Sequence, residues 1–412
     1  MKNIASEFLT KLDIEDRIFS RKLKADITGV GYLTAIKEFQ FYHYNLLRNE
    51  CTEDIDLQFY LLRLGLPKFV SRILSGVSCF QYPVITFKSN KALIEAAYQT
   101  VTAFGFIEHG RRLAHGAMAG ECSIHKISDR NYDVVMPDVV SYFEQHEASI
   151  VHHYAKIRQE HVDSVIKESF VKTGITKQIE TLLTEQVYVF RDSFIGYDAH
   201  PSLDDFFFGI ANVEIQNQNG FDSFKGNLKF GGVTFQKYML ATIYFLSIAL
   251  KHEKFAAALL KKSEHIRLRD ILTVTCDKQE FQACMIEALN MYGPNFEEFT
   301  PVTDEEAKII IKALSVRRDN LSVLHSTMAP LPYLIEFSDT TWIQFGAGVQ
   351  LGGVDFLLNS LNHNFPDDYS RNQQTRETSM QRALQRIIND YIPGLIYVDS
   401  FKIRRSNWPK ST

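Results

Sequence analysis

The run YMLATIYFLSIAL, Tyr238 to Leu250, decides the fold, because it is the most apolar stretch of the chain and has two readings. A helix that crosses a bilayer needs about 20 apolar residues in succession. This run has 13, so it is read as a helix buried in a protein core and packed on every side. The sequence before it agrees. GYLTAIKEFQFYHYNLLRN (31–49), LQFYLLRLGLPKFVSRILSG (57–76), NKALIEAAYQTVTAFGFIEHGRRLAHGAM (90–118) and PDVVSYFEQHEASIVHHYAKIRQEHVDSVIKESF (137–170) all place apolar residues at three- and four-residue spacing, the pattern of amphipathic helices. The last opens with Pro137 at a first helical position and reads as a spine for other helices.

Short β segments interrupt the helices. PVITF (Pro83 to Phe87) reads as a strand, and CSIHKISDRNYDVVM (Cys122 to Met136) as a hairpin turning at Asp129 to Asn131. The character changes after about residue 295. Thr303 and Glu306 form a capping box before an apolar helix; LPYLIEF and TWIQF form a hairpin around Ser338 to Thr340; a helix follows from about Val354 to His363. SRNQQTRETSMQRALQRIINDYI is the next helix, with Ser370 and Gln373 as a second capping box, and Leu395 to Arg404 reads as a final strand. The expected fold is mainly α: a large helical part over residues 1–300 with small β-hairpins, then the start of an α+β module over 301–412.

Composition bounds the function. Hydrophobic residues make up 45% and charged residues 23%, the profile of an ordinary globular protein. The net charge of −4 gives no general attraction to nucleic acid or to anionic membrane, and no membrane partner is expected. Five cysteines (Cys51, Cys79, Cys122, Cys276, Cys284) form no CxxC pair and read as reduced, mostly buried thiols. The first residues, MKNIASEFLTKLDIEDRIF, carry acids and no continuous apolar core, unlike a secretory signal, so a cytoplasmic protein is expected.

Most clusters of reactive residues have a plain structural explanation. His146, His153 and His161 lie along one long helix without the HExxH register, so partner-packed or solvated histidines are preferred to a metal site. GYDAHPSLDDFFFG gathers Asp198, His200, Asp204 and Asp205, oxygen ligands in principle, but an Asp or Ser202 before a helix is the ordinary N-cap. Arg111 and Arg112, beside His109 and His115, read as an anion pocket or as an interhelical salt bridge, with the salt bridge preferred. GNLKFGG (Gly226 to Gly232) lacks both the P-loop ending and the GxGxxG spacing, and no GxSxG elbow is present.

The C-terminal end is different. From Arg371 to Thr412 there are eight basic and three acidic residues, a net +5, which leaves −9 on the rest of a chain that sums to −4. Such asymmetry points to an anionic partner at this segment, DNA or RNA, with Arg382, Arg386, Lys402, Arg404 and Arg405 as the contacting residues. On the helix, Met380, Leu384, Ile387, Ile388 and Tyr391 form an apolar stripe. Glu377 falls in line with that stripe, so it is expected to face inward, either as a helix-start carboxylate held by Arg376 or Arg371 or as part of an acidic metal site.

The run FLLNSLNHNFPDDYSRNQQTRETSMQRALQRIINDYIPGLIYVDSFKIRRSNWPKST (356–412) resembles the stretch leading into the nuclease core of large bacterial proteins of the PD-(D/E)xK, or restriction-endonuclease-like, superfamily. There an Arg-Glu pair opens a helix and a strand follows; a Thr-Asp-Ile-Asp segment then begins the catalytic hairpin, and a Gln-x-Lys strand completes the site. The matching parts are Arg376-Glu377, the helix to Tyr391, and the strand Leu395 to Arg404. The resemblance implies that Glu377 is a catalytic and metal-binding carboxylate. It also implies a Mg2+ ion for a completed nuclease only, with no cofactor in this chain.

The sequence stops at Thr412, where the aspartate segment is expected, so a metal-dependent nuclease would be incomplete as it stands. The reading is the N-terminal part of a nuclease-like bacterial protein, suited to defence against foreign DNA, with a regulatory or partner-binding helical region. The alternative is a helical scaffold or adaptor whose many aromatics (31 Phe, 18 Tyr) supply an interface, and whose last strand is completed by a protein partner. A small-molecule enzyme with a pocket near Asp198 and His200 is the third reading.

Overall fold

The computed structural model describes residues 2–26, 36–44, 53–76, 91–137, 164, 175–190, 194–218, 224–296, 298–325 and 331–391. The strand expected at Pro83 to Phe87, the helix body after Pro137 with His146, His153 and His161, and the strand at Leu395 to Arg404 lie outside them. The fold is mainly α.

The apolar run of the opening is the centre of the molecule. It lies in a helix, α7 (Phe235–Leu260), whose buried residues include Tyr238, Leu240, Ala241, Ile243, Phe245 and Leu246 on several sides, as a helix enclosed in protein requires. No helix among the described residues is long and apolar enough to cross a membrane. Preceding it in the chain are α1 (Lys2–Asp26), α2 (36–44), α3 (Glu53–Gly76), α4 (Lys91–Ala119), the hairpin β1–β2 (Ser123–Lys126 and Tyr132–Val135), α5 (Ile175–Glu185), the hairpin β3–β4 (Val187–Phe190 and Phe194–Tyr197), α6 (Pro201–Gln218) and the hairpin β5–β6 (Lys229–Phe230 and Val233–Thr234). The β1–β2 turn lies where expected, with Asn131 N–H donating to Ser128 Oγ at 3.2 Å. In GNLKFGG, Gly231 and Gly232 have φ of 58° and 86°, the left-handed values a two-residue hairpin turn demands, which accounts for these glycines without a phosphate.

After α7 come β7 (Val274–Asp277), α8 (Lys278–Tyr292), α9 (Asp304–Leu314), β8 (Ser315–Val316), β9 (Leu334–Glu336), β10 (Thr341–Gln344), α10 (Gly346–Asn364) and α11 (Pro366–Tyr391). The capping box is present: Thr303 Oγ1 accepts from Glu306 N–H, and the Glu306 carboxylate accepts from Thr303 N–H. Glu306 also receives the buried ammonium of Lys237 on α7 at 2.7 Å. The hairpin at Ser338 to Thr340 is β9–β10. Inside α10, Gly353 breaks the helix with φ 45° and ψ −132°, and its carbonyl accepts from the buried Tyr333 hydroxyl.

Two expectations are corrected. The boundary at residue 300 does not divide the core. β7, from before it, is the outer strand of the mixed sheet β7-β10-β9-β8, pairing Thr275 with Ile343, and one hydrophobic cluster runs from Ile36 through α7 to Leu361. The last helix begins at Pro366 rather than at a Ser370 cap. Proline at the first position, followed by Asp367 and Asp368 in the first turn, starts it one turn earlier.

The N-terminal helices pack through two devices. α3 and α4 cross where Gly65 and Gly105 meet: a Cβ on Gly65 would lie 1.9 Å from Val101 O, and one on Gly105 2.0 Å from Leu61 O. α1 is tied to both by Asp16, whose Oδ2 receives Arg111 Nη2 at 2.7 Å, Arg72 Nη2 at 3.0 Å and Lys68 Nζ at 3.1 Å.

Candidate functional site

The seat of α11 positions the residues expected to carry the chemistry. Asp368 Oδ2 accepts from Gly231 N–H at 2.8 Å, in the turn of the β5–β6 hairpin, and Asn372 Nδ2 donates to Lys229 O at 3.1 Å. Tyr369 sets its ring edge-on to Phe224, with centroids 5.2 Å apart, and beside Phe230 at 6.3 Å. Arg376 donates to the Tyr369 hydroxyl at 2.8 Å and stands over the Phe224 ring at 5.4 Å. Tyr369, Asn372 and Arg376 share one face of the helix, and that face is docked.

Glu377 is one position beyond that face and is exposed. The inward orientation expected from the apolar stripe is therefore corrected. The first turns dock through Tyr369, Asn372 and Arg376, and Glu377 falls one position off that docked face. Its carboxylate accepts a long hydrogen bond from Gln373 Nε2 at 3.4 Å, while Arg371 pairs with Asp368 at 2.7 Å and Arg376 with Tyr369. Neither arginine holds Glu377. Arg382 and Arg386 lie on α11; Lys402, Arg404 and Arg405 lie outside the described residues. Among the described residues no three His, Cys, Asp or Glu side chains converge as metal ligands. The donor set around Glu377 does not fit Mg2+, which needs several oxygen ligands in octahedral array.

The other clusters separate when folded. Arg111 is an interhelical salt bridge, bonded to Asp13 at 2.8 Å, to Asp16 and to Glu108. Arg112 reaches the Tyr60 hydroxyl at 3.5 Å, and His109 stands edge-on to the Tyr60 ring. In GYDAHPSLDDFFFG, Pro201 opens α6, so Ser202 is already helical and the cap position falls to His200, whose carbonyl accepts from Leu203 and Asp204 N–H. Asp204 turns to Lys251 on α7 and Asp205 to the Tyr292 hydroxyl on α8 at 2.8 Å, so the two acids diverge. Of the described cysteines, Cys284 is exposed, and Cys122 and Cys276 are half-buried rather than buried.

Sequence reasoning missed a partly open pocket between α2, α7, β7, α8, β10 and the start of α10. Its polar wall comes from Gln40 and His43 on α2, His252 and Glu253 on α7, and Gln344 on β10. Gln40 and His43 are both buried, three positions apart on one helix face. Gln40 Oε1 caps α10 by accepting Ala347 N–H at 3.1 Å, and its Nε2 donates to Thr273 Oγ1 at 2.8 Å. His252 Nε2 bonds Ile271 O at 2.7 Å, and its second nitrogen is buried without a partner. Burial lowers the imidazole pKa to about 4, so the ring is neutral at neutral pH. The signal available beforehand was polar residues at helical spacing inside an apolar helix, which is also how an ordinary exposed face reads.

Compared with known proteins, the chain matches no family model, no curated protein and no solved structure.

Proposed function

We propose that this chain is the helical, nucleic-acid-facing part of a nuclease-like protein, in which α11 and the basic segment after it meet a phosphate backbone. The observation that supports the reading is the charge partition: residues 371–412 carry +5 while the remaining residues carry −9. An acidic body repels polyphosphate at long range and a basic end attracts it, so binding is confined to one segment. The docking of α11 is compatible with this role. Its first turns are fixed to the β5–β6 hairpin while Glu377 stays open to solvent.

In this reading Arg382, Arg386, Lys402, Arg404 and Arg405 contact phosphates. Glu377, exposed and without converging acids among the described residues, is given no ion of its own in this reading. Phosphodiester hydrolysis by divalent ions requires several converging ligands, so cleavage is not assigned to Glu377 alone.

The test is fluorescence anisotropy with a labelled DNA duplex across a salt series. Each neutralised phosphate contributes about 0.9 to the slope of log affinity against log salt. The double charge reversal Arg382→Glu, Arg386→Glu is expected to weaken binding and to reduce that slope by about 2. Absence of salt-dependent binding, or an unchanged slope in the variant, removes the nucleic-acid reading and leaves the protein-binding scaffold.

A further inference from the structure

Three elements bring two serine–histidine pairs together at the surface. On the short 3-10 helix Leu321–His325, Ser322 and His325 are three positions apart, and in a helix of three residues per turn such side chains stand in line. His363, near the end of α10, sets Nε2 at 2.8 Å from Ser322 Oγ. On α3, Ser71 Oγ lies 3.4 Å from His325 Nε2. The groups therefore form a row, His363, Ser322, His325 and Ser71, of which the first three are exposed. In each imidazole Nε2 meets a serine, and Nδ1 has no hydrogen-bond partner among the described residues.

The charge around the row is weighted toward cations. Burial first, then the charges of Lys68 and Arg72 on α3, hold the His325 pKa below the ordinary imidazole value; Glu108 on α4 opposes them and His363 adds to the lowering. Lys68 and Arg72 are themselves tied to Asp16 on α1, at 3.1 and 3.0 Å, and Lys68 stands 3.6 Å from Glu108. They supply field at the row rather than contacts to a ligand. A neutral imidazole in such a field takes up a proton when an anion arrives beside it. Once protonated, each ring donates to its serine oxygen from Nε2 and outward from Nδ1, and the exposed Ser322 hydroxyl keeps its own proton to donate.

Donors in a cationic field select an oxyanion. A metal ion is disfavoured by Lys68 and Arg72, and among the described residues no three ligating side chains converge. The row presents separate single donors rather than the planar fork that matches a carboxylate, which suits a tetrahedral anion with several acceptor oxygens. Outside residues 371–412 the chain carries −9, which repels a polyanion far more than a single small one. We propose that the His363–Ser322–His325 row binds a small phosphate, inorganic phosphate or a phosphate monoester, through the two protonated imidazoles and the Ser322 hydroxyl. None of these residues enters the nucleic-acid reading, which stands or falls separately.

The experiment titrates sodium phosphate into the whole chain, with sodium chloride at matched ionic strength as control. It follows the His325 and His363 ring nitrogens by long-range proton–nitrogen NMR, assigned with the His325→Gln and His363→Gln proteins. The expected result is a saturable shift of both rings at millimolar phosphate, with methyl phosphate acting like inorganic phosphate. Affinity should rise as the pH falls from about 8 to about 6.5, because the rings then carry the protons that hold the anion. Glutamine can still hydrogen-bond the serine but carries no charge. Each substitution should weaken phosphate about tenfold or more, the loss of one charge-assisted hydrogen bond, in a protein that remains folded by circular dichroism. Four results overturn the site: no saturable shift, or one that chloride reproduces, which means an ordinary charged surface; an affinity independent of pH, which means that the rings stay neutral; an unchanged affinity in the folded double variant; or dimethyl phosphate binding as tightly as methyl phosphate, which means that a nucleic-acid backbone is read instead.

Discussion

Asp16 has 3% of its side chain exposed and three cations within 3.1 Å, on two other helices. Burial by itself would raise the pKa of this carboxyl. The hydrogen bond from Arg111 and the charges of Lys68 and Arg72 more than reverse that and hold it well below the usual carboxylate range. Because the folded value is depressed, the stabilisation is complete above the unfolded carboxylate value of about 4 and is lost as the pH falls below it. Asp16→Asn leaves Arg111, Arg72 and Lys68 without their shared anion and is expected to cost about 3 kcal/mol at neutral pH, the usual penalty for breaking a buried ion pair. Urea denaturation of both proteins at neutral and acid pH checks this. The gap should be widest at neutral pH and narrow in acid; a gap independent of pH would show that packing, not charge, is the cause. The sequence around Arg111 gave a salt bridge as one of two readings and could not name the partner. Asp16 lies 95 positions away, and no local pattern encodes that distance.

Among the described residues, elements were legible where a single local signal stood unopposed. The period of YMLATIYFLSIAL, the Thr303–Glu306 box and the two hairpins with their turns all depend on residues within a few positions of each other, and all are present. The start of α11 and the face of Glu377 were misread because two local signals competed. The Ser370–Gln373 spacing lost to Pro366 with its following acids, and the face of Glu377 is set by the docking of Tyr369, Asn372 and Arg376 beside it. The crossing of α3 and α4 was not legible at all, since Gly65 and Gly105 look like mere helix-weakening residues in sequence. In the fold they let two backbones touch. Gly105→Ala would drive a methyl into Leu61 O, and backbone on a neighbouring helix cannot swing aside as a side chain does. We expect a loss of about 3 kcal/mol, whereas alanine at an exposed glycine of a helix usually stabilises. The denaturant midpoint of Gly105→Ala decides: an unchanged or raised value would mean that the helices are farther apart than described.

For the whole molecule, the central question is whether residues after 300 form a unit of their own. The change from long helices to a hairpin-containing pattern suggested that they do, because a shift in element type is one mark of a domain boundary that a sequence displays. Packing follows a different logic. Leu246 on α7 and Leu357 on α10 are both fully buried in the same cluster, and β7 reaches across the expected boundary to pair with β10. A core shared in this way has no interface along which one part can unfold while the other persists, so unfolding should be cooperative across residue 300. Each of Leu246→Ala and Leu357→Ala removes a buried side chain from that core and should cost about 2–5 kcal/mol. The measurement compares two probes. Far-UV circular dichroism reports the helices, and the fluorescence of Trp342 on β10, read in a Trp408→Phe background, reports the mixed sheet. With one core, both substitutions lower both transitions together. If Leu246→Ala moved the helical signal and left the Trp342 transition in place, the sheet and its flanking helices would be an independent domain, and the C-terminal segment could then be detached and tested for nucleic-acid binding by itself.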